Sequence, residues 1–171
     1  YYTLGNPFGH PAFLDWAQQA GLPQATVLEP FAGANSLVLM LQQAGLCREW
    51  RAFDIHPGAP DVVARDTFAD FPRGYQVAIT NPPYLAKNSA KRRGLAFPST
   101  TYDDLYKHAL ALTLAHTPWV AAIVPDSLFT AGLFHSRALA FVSLTQSMFA
   151  DTDHPVCLAL FGPSGGNPDL W

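Results

Sequence analysis

Short apolar runs alternate along this chain with stretches whose apolar residues recur every three to four positions. Residues 26–29, 50–54, 76–80, 119–124 and 156–161 read as strands. Helices are expected over 11–20, 36–44, 103–117 and roughly 127–141. Within 103–117, Leu105, Ala109, Leu112 and Ala115 repeat at helical spacing, and Asp103 is the expected N-cap. Strands separated by helices predict an α/β fold with a mostly parallel central sheet flanked by helices. Two stretches fit neither pattern. Residues 85–101, rich in Lys, Arg, Gly, Pro and Ser, read as a long loop of the kind that usually carries function. Residues 162–171 read as a linker closing a catalytic unit at 1–161.

At 171 residues, 49% hydrophobic and 13% charged, the chain suits one domain with a sizeable core and excludes a largely disordered protein. No apolar run reaches the ~20 residues needed to cross a bilayer, so a soluble, cytoplasmic protein is expected. A net charge of −3 does not by itself suggest a nucleic-acid binder. The basic charge is local, however: Lys87, Lys91, Arg92 and Arg93 fall together in the long loop. Cys47 and Cys157 lie far apart, and the histidines show no ligand spacing, so no metal is expected.

The chemistry begins directly after the run 76–80, at Asn81-Pro82-Pro83-Tyr84. In a parallel α/β sheet the ligand crevice lies beyond the carboxyl ends of the strands. This tetrapeptide therefore offers the crevice an amide, a carbonyl and an aromatic ring. Neither proline has an N–H, and a residue before proline is held extended, so the platform is stiff and its carbonyls are free. Asn81 Oδ1 and the Pro82 carbonyl can accept both hydrogens of one NH2 group while Tyr84 stacks on the ring that bears it. An exocyclic or amide nitrogen is a poor nucleophile because its lone pair is delocalised. Two acceptors aimed at its hydrogens favour tetrahedral geometry and stabilise the charge that develops. Asn and Pro are also ordinary turn residues, so the segments upstream matter.

Upstream, Glu29-Pro30-Phe31-Ala32-Gly33-Ala34-Asn35 joins a strand to a helix with one glycine. This is not a GxGxxG fingerprint, yet a nucleotide-type ligand can approach such a turn closely at a helix N-terminus. A carboxylate at Glu29 suits a cationic ligand group better than a pyrophosphate. Asp54 ends the next strand, where an acid can bind ribose hydroxyls. Asp66-Thr67-Phe68 offers an acid and an aromatic ring to an adenine. Taken singly, each acid equally suits a solvated or capping role; together they trace an adenosine site with an ammonium-bearing tail.

These segments, in this order, resemble the catalytic domain of γ-class S-adenosylmethionine-dependent DNA adenine-N6 methyltransferases. Asn81-Pro82-Pro83-Tyr84 matches the family's catalytic motif in full, and Glu29-Pro30 with Gly33 is similar to its first cofactor motif. The resemblance implies a Rossmann-like class I methyltransferase fold. It implies Asn81, Pro82 and Tyr84 as catalytic residues and S-adenosylmethionine as cofactor. The cofactor would be held by Tyr2, Thr3, Phe8, Glu29, Pro30, Phe31, Gly33, Asp54, Ile55, Asp66, Thr67, Phe68, Asn81 and Pro83. Tyr84 and Phe149 would sandwich the target base, and Lys87, Lys91, Arg92 and Arg93 would contact DNA phosphates. Asp104-Leu105-Tyr106 and Ile123-Val124-Pro125-Asp126-Ser127 are similar to the two motifs that follow.

The implied activity is site-specific methyl transfer to N6 of a flipped-out adenine in double-stranded DNA, the chemistry of restriction-modification. The family carries a DNA-reading domain after its last catalytic motif. Here target reading is expected from a separate recognition domain or subunit, or from the long loop. Two alternatives keep the same residues. One is the same chemistry on RNA amino groups or on a protein glutamine amide, although glutamine enzymes usually show a Gly-x-Gly-x-Gly first motif. The other is a non-catalytic cofactor-binding subunit of a larger modification complex.

Overall fold

The computed structural model describes residues 6–144 and 155–171. Its first half contains α1 (Pro11–Ala20), β1 (Val27–Glu29), α2 (Ser36–Gln43), β2 (Trp50–Asp54), β3 (Val63–Ala64) and β4 (Val77–Thr80). There follow α3 (Lys87–Arg92), α4 (Leu105–His116), β5 (Trp119–Pro125), α5 (Ser127–Ala131), β6 (Ala138–Leu144), β7 (Val156–Phe161) and β8 (Asp169–Leu170). The strands form one sheet in the order β3-β2-β1-β4-β5-β7-β6-β8. Strands β1 to β5 pair in parallel, whereas β7 runs antiparallel to both β5 and β6. The carboxyl ends of β1, β2, β4 and β5 therefore share one edge, and the chemistry-bearing segments leave the sheet there.

Helices cover both faces of this sheet, which is why its central strands read as continuous apolar runs rather than alternating ones. Val27, Val77, Ile79, Ile123 and Leu158 face α1 and α2, where Phe13, Trp16, Leu37 and Leu41 complete one core layer. Leu28, Ala78, Val120, Ala122 and Val124 face α4 through Tyr106, Leu110 and Leu114. Each large side chain buried this way stabilises the fold by roughly 1.5–3 kcal/mol. Pro11 opens α1 and Gly21, left-handed at φ 91°, closes it. The helix docks through Trp16, whose indole N–H donates to the Phe161 carbonyl at 2.9 Å.

Five expectations change. Residues 127–141 do not form one helix: α5 stops at Ala131, before the left-handed Gly132, and 138–144 become β6. A short apolar run does not distinguish strand from buried helix by its own pattern; the exposed edge of β7 decided it. The long loop contains α3, packed down by the fully buried Ala90. Asp104, not Asp103, caps α4 by accepting the Tyr106 N–H, while Asp103 pairs with Lys107 at 2.7 Å. The buried face of α4 is Tyr106, Ala109, Leu110, Thr113 and Leu114, turned from the anticipated stripe so that only Ala109 is shared. The tail also returns to the sheet, with β8 pairing parallel to β6 and Trp171 lying edge-on to His10 at 5.5 Å. Among the described residues no helix is long and apolar enough to span a membrane, and no group of three potential metal ligands occurs.

Arg137 ties the far edge of the sheet together. Its guanidinium donates to the carbonyls of Gly162, Leu114, Thr117 and Pro118. It thereby serves orphan carbonyls at the end of α4, where the helix dipole also favours a cation. Arg137→Ala leaves all of them unpaired at once and is expected to cost about 2–4 kcal/mol. A thermal melt should show a Tm lower by roughly 5–15 °C; a shift under 2 °C would show that solvent replaces the guanidinium.

Candidate active site

Glu29 ends β1 and is 2% exposed. Its carboxylate accepts the Phe31 N–H at 2.9 Å, so it is turned to its own loop rather than into open space. Burial raises its pKa to about 8, against the opposing pull of the Thr80 hydroxyl and the Phe31 and Asn81 amides; negative Asp54 pushes the same way as burial. Glu29 thus joins the loop after β1 to the residue that follows β4.

The loop itself is shaped by close backbone approach. Gly33 takes φ +55° and donates its N–H to Asp54 Oδ2 at 2.9 Å, while its carbonyl accepts the Gly58 N–H at 2.9 Å. A Cβ on Gly58 would lie 3.1 Å from the Gly33 carbonyl group and the Ala34 nitrogen, so glycine keeps that crossing tight. Asp54 also accepts the His56 N–H at 2.8 Å, which fixes the carboxylate at the end of β2. Beside it Ile55 is 57% exposed, an apolar side chain left in the open at the crevice edge.

Residues 66–68 are drawn to the same loop. The buried Thr67 hydroxyl donates to the Pro30 carbonyl at 2.9 Å. Phe68 then packs on Phe31, with centroids 5.1 Å apart, and stacks on His108 of α4 at 5.5 Å and 4° between planes. Asp66 remains exposed and accepts the Ala69 N–H. Sequence reasoning missed His108; its signal was its place one helical turn after Asp104.

Asn81 follows β4, with Pro82 buried beneath it. The Tyr84 phenol lies 2.8 Å from Asn81 Oδ1 and 2.6 Å from the Ile123 carbonyl oxygen on β5. Its ring meets Tyr106 edge-on at 5.6 Å and 85°. Burial pushes the Tyr84 pKa far above its usual value, keeping the phenol protonated. The segment leaving this site is clamped by Asp104, which accepts both the Leu85 and Tyr106 N–H groups at 3.1 and 3.2 Å.

The clamp sets α3 directly beside Asn81-Pro82-Pro83-Tyr84. All four cations are exposed; Lys87 donates to the Thr100 carbonyl and lies over the Phe97 ring, and Arg92 donates to the Ser89 hydroxyl. Among the described residues none of these four pairs with a carboxylate.

The structure thus brings together Glu29, Pro30, Phe31, Gly33, Asp54, Ile55, Thr67, Phe68 and the tetrapeptide at one edge of the sheet. It does not bring Phe8 there. Phe8 is fully buried against Phe13 at 4.7 Å, so it packs the core and offers no surface to a ligand. Tyr2, Thr3 and Phe149 lie outside the described residues.

No family model matches the sequence, and no curated relative matches it either. Solved structures match in fold. A protein assigned as a class I S-adenosylmethionine-dependent methyltransferase from Listeria monocytogenes superimposes with a TM-score of 0.66 at 13% identity, covering 97% of this chain and 64% of that one. The methyltransferase subunit of a type I restriction-modification system from Streptococcus thermophilus gives 0.59 at 15% identity, covering 94% and 46% respectively. A protein assigned as an RNA methyltransferase from Pyrococcus horikoshii gives 0.58 at 11%, covering 90% and 84%. The chain spans less than two thirds of the length of the first two. Strand order, the single antiparallel β7 and these superpositions agree: the chain has the fold of the class I S-adenosylmethionine-dependent methyltransferases.

Proposed function

We propose that this chain transfers the methyl group of S-adenosylmethionine to the N6 amino group of an adenine in DNA. The observation that carries the reading is Asn81-Pro82-Pro83-Tyr84 at the carboxyl end of β4, beside the loop in which Asp54 accepts the Gly33 N–H. The residues fit that cofactor. Asp54 stands where ribose hydroxyls would reach its remaining lone pairs, and exposed Ile55 and the Phe31–Phe68 pair supply apolar surface for an adenine. Glu29 acts from beneath, holding the loop through Phe31.

When bound, the cofactor supplies an electrophilic methyl group on a sulfonium sulfur. The work of this chain's own residues is positioning and charge stabilisation. Asn81 and Pro82 accept the hydrogens of the target amino group, which draws its lone pair out of the ring and toward the methyl carbon. The nitrogen that receives the methyl would carry positive charge, the sulfonium being left as a neutral thioether, and its surplus proton would leave to solvent past these acceptors. Tyr84 stacks on the flipped base, a contact worth ~1–3 kcal/mol against the cost of unstacking it. Lys91, Arg92 and Arg93 contact phosphates next to that base, positioning the strand without reading its sequence. Target reading falls to a recognition domain or partner subunit.

The test is methyl transfer from radiolabelled S-adenosylmethionine to duplex DNA, single-stranded DNA, RNA and a protein extract, with digested product examined for N6-methyladenine. Label on DNA adenine is expected. Label on RNA alone would move the substrate to the class suggested by the Pyrococcus likeness, and label on protein would move it to a glutamine amide. Cofactor binding with no transfer to any of them would favour a non-catalytic subunit. In the same assay system, Asp54→Ala should weaken cofactor binding at least tenfold by calorimetry, because a charge-assisted ribose contact and the anchor of Gly33 are lost together. Unchanged affinity would remove the ribose assignment.

A further inference from the structure

We propose that the Tyr84 hydroxyl is a positioning group for Asn81, fixing which end of the Asn81 amide faces the crevice. This rests on the reading that Asn81 accepts a hydrogen from the substrate amino group, and it adds to that reading a reason why the acceptor points the right way.

The number of protons available at this contact fixes the arrangement. The phenolic oxygen of Tyr84 lies 2.6 Å from the Ile123 carbonyl oxygen and 2.8 Å from the Asn81 amide. A phenol has one proton to give. The Ile123 carbonyl can only accept, so the proton goes there. If Asn81 then presented its oxygen to Tyr84, two sets of lone pairs would face each other at hydrogen-bond distance. Turning the amide about its Cβ–Cγ bond puts Nδ2 at that place, where it donates to the phenolic oxygen. Amide oxygen and nitrogen have nearly the same shape, so the turn leaves the packing unchanged, and only the hydrogen-bond network distinguishes the two settings. The satisfied arrangement is therefore Asn81 Nδ2–H to Tyr84 Oη, and Tyr84 O–H to the Ile123 carbonyl.

The consequence is at the other end of the amide. Among the described residues that atom has no hydrogen-bond partner and is not sealed from solvent. With Nδ2 held by Tyr84, it is Oδ1, an acceptor, that faces a donor NH2 group.

The phenol is itself held in place. Tyr106 meets its ring edge-on, and Asp104 ties Leu85, the next residue, to the first turn of α4. Tyr84 thus connects β5 and Asn81 through its oxygen and meets α4 through its ring. Its ring can stack on a base while its hydroxyl sets the acceptor. The two duties are separable, because only the second needs the hydroxyl.

Tyr84→Phe is the variant that separates them. The ring remains, so cofactor affinity by calorimetry and base flipping read by 2-aminopurine fluorescence should stay within twofold of wild type. kcat should fall by about tenfold or more with KM unchanged, because the acceptor is no longer held in the productive setting. Side-chain amide resonances of 15N-labelled protein give a second readout that needs no turnover, with Asn81 assigned by its loss in Asn81→Ala. In wild type one Asn81 Nδ2 proton should exchange slowly with solvent, and in Tyr84→Phe that protection should disappear. An undiminished kcat in Tyr84→Phe, or an Asn81 amide that exchanges freely in wild type, would overturn the inference. Should wild type methylate nothing, the parent reading fails, and the exchange measurement still decides this one.

Discussion

Replacing Asn81 with alanine is expected to lower methyl transfer by about two to three orders of magnitude while leaving cofactor affinity within a few fold. The amide follows β4 and meets Tyr84, and in the proposed mechanism its other end meets the substrate amino group. Its stabilisation grows as the nitrogen becomes tetrahedral and positive, so its loss falls on kcat rather than on binding. Most of the proposed cofactor surface lies in other segments, those around Gly33, Asp54 and Phe68. Single-turnover methylation and calorimetry on the same preparation check both halves. Near-normal turnover in Asn81→Ala would remove the proposed mechanism. A matching collapse in cofactor affinity would instead leave Asn81 only the cofactor role that the family resemblance also implies.

The second large effect is on stability and runs with pH. Glu29 has its pKa raised from 4.5 to about 8, with burial as the leading cause. Between those values the folded chain keeps a proton that the unfolded chain releases. The contribution is therefore fully present below about pH 4.5, declines as pH rises, and is gone above about pH 8. The slope is ~1.4 kcal/mol per pH unit, or roughly 4–5 kcal/mol over the whole window. Urea unfolding of wild type should show its midpoint falling from pH 5.5 to pH 8.5. Glu29→Gln, which carries no ionisable proton at this position, should flatten that fall, and the difference between the two profiles isolates Glu29 from every other titrating group. Parallel profiles would mean that the carboxyl is ionised in the folded chain, held by the Phe31 and Asn81 amides and Thr80.

Much of the site was legible because its signals are local. A proline pair after asparagine at the end of an apolar run is stiff whatever surrounds it, and an acid or a glycine at a strand end reads the same way in any parallel sheet. The tetrapeptide, the Gly33 turn and Asp54 consequently stand at the edge where their order along the chain put them. Phe8 misled because an aromatic residue near the start of a chain carries no mark of whether a ligand or Phe13 will cover it. Residues 138–144 misled for a related reason: ALAFVSL satisfies a buried helix and a buried strand equally, and pairing with β7 resolved it.

What the sequence determined by itself is the alternation of strands and helices, the parallel character of the sheet, and the residues that meet at the strand ends. These follow from periodicity and from the restricted backbones of proline and glycine, which act within a few residues. Only the tertiary structure decided the antiparallel β7, the return of the tail as β8, the inward turn of Glu29 and the phenol of Tyr84 against the carbonyl of Ile123. Each of these joins groups far apart in the chain or depends on what has been shut away from water. Burial and long-range pairing are set by the packed whole, and no local pattern records them.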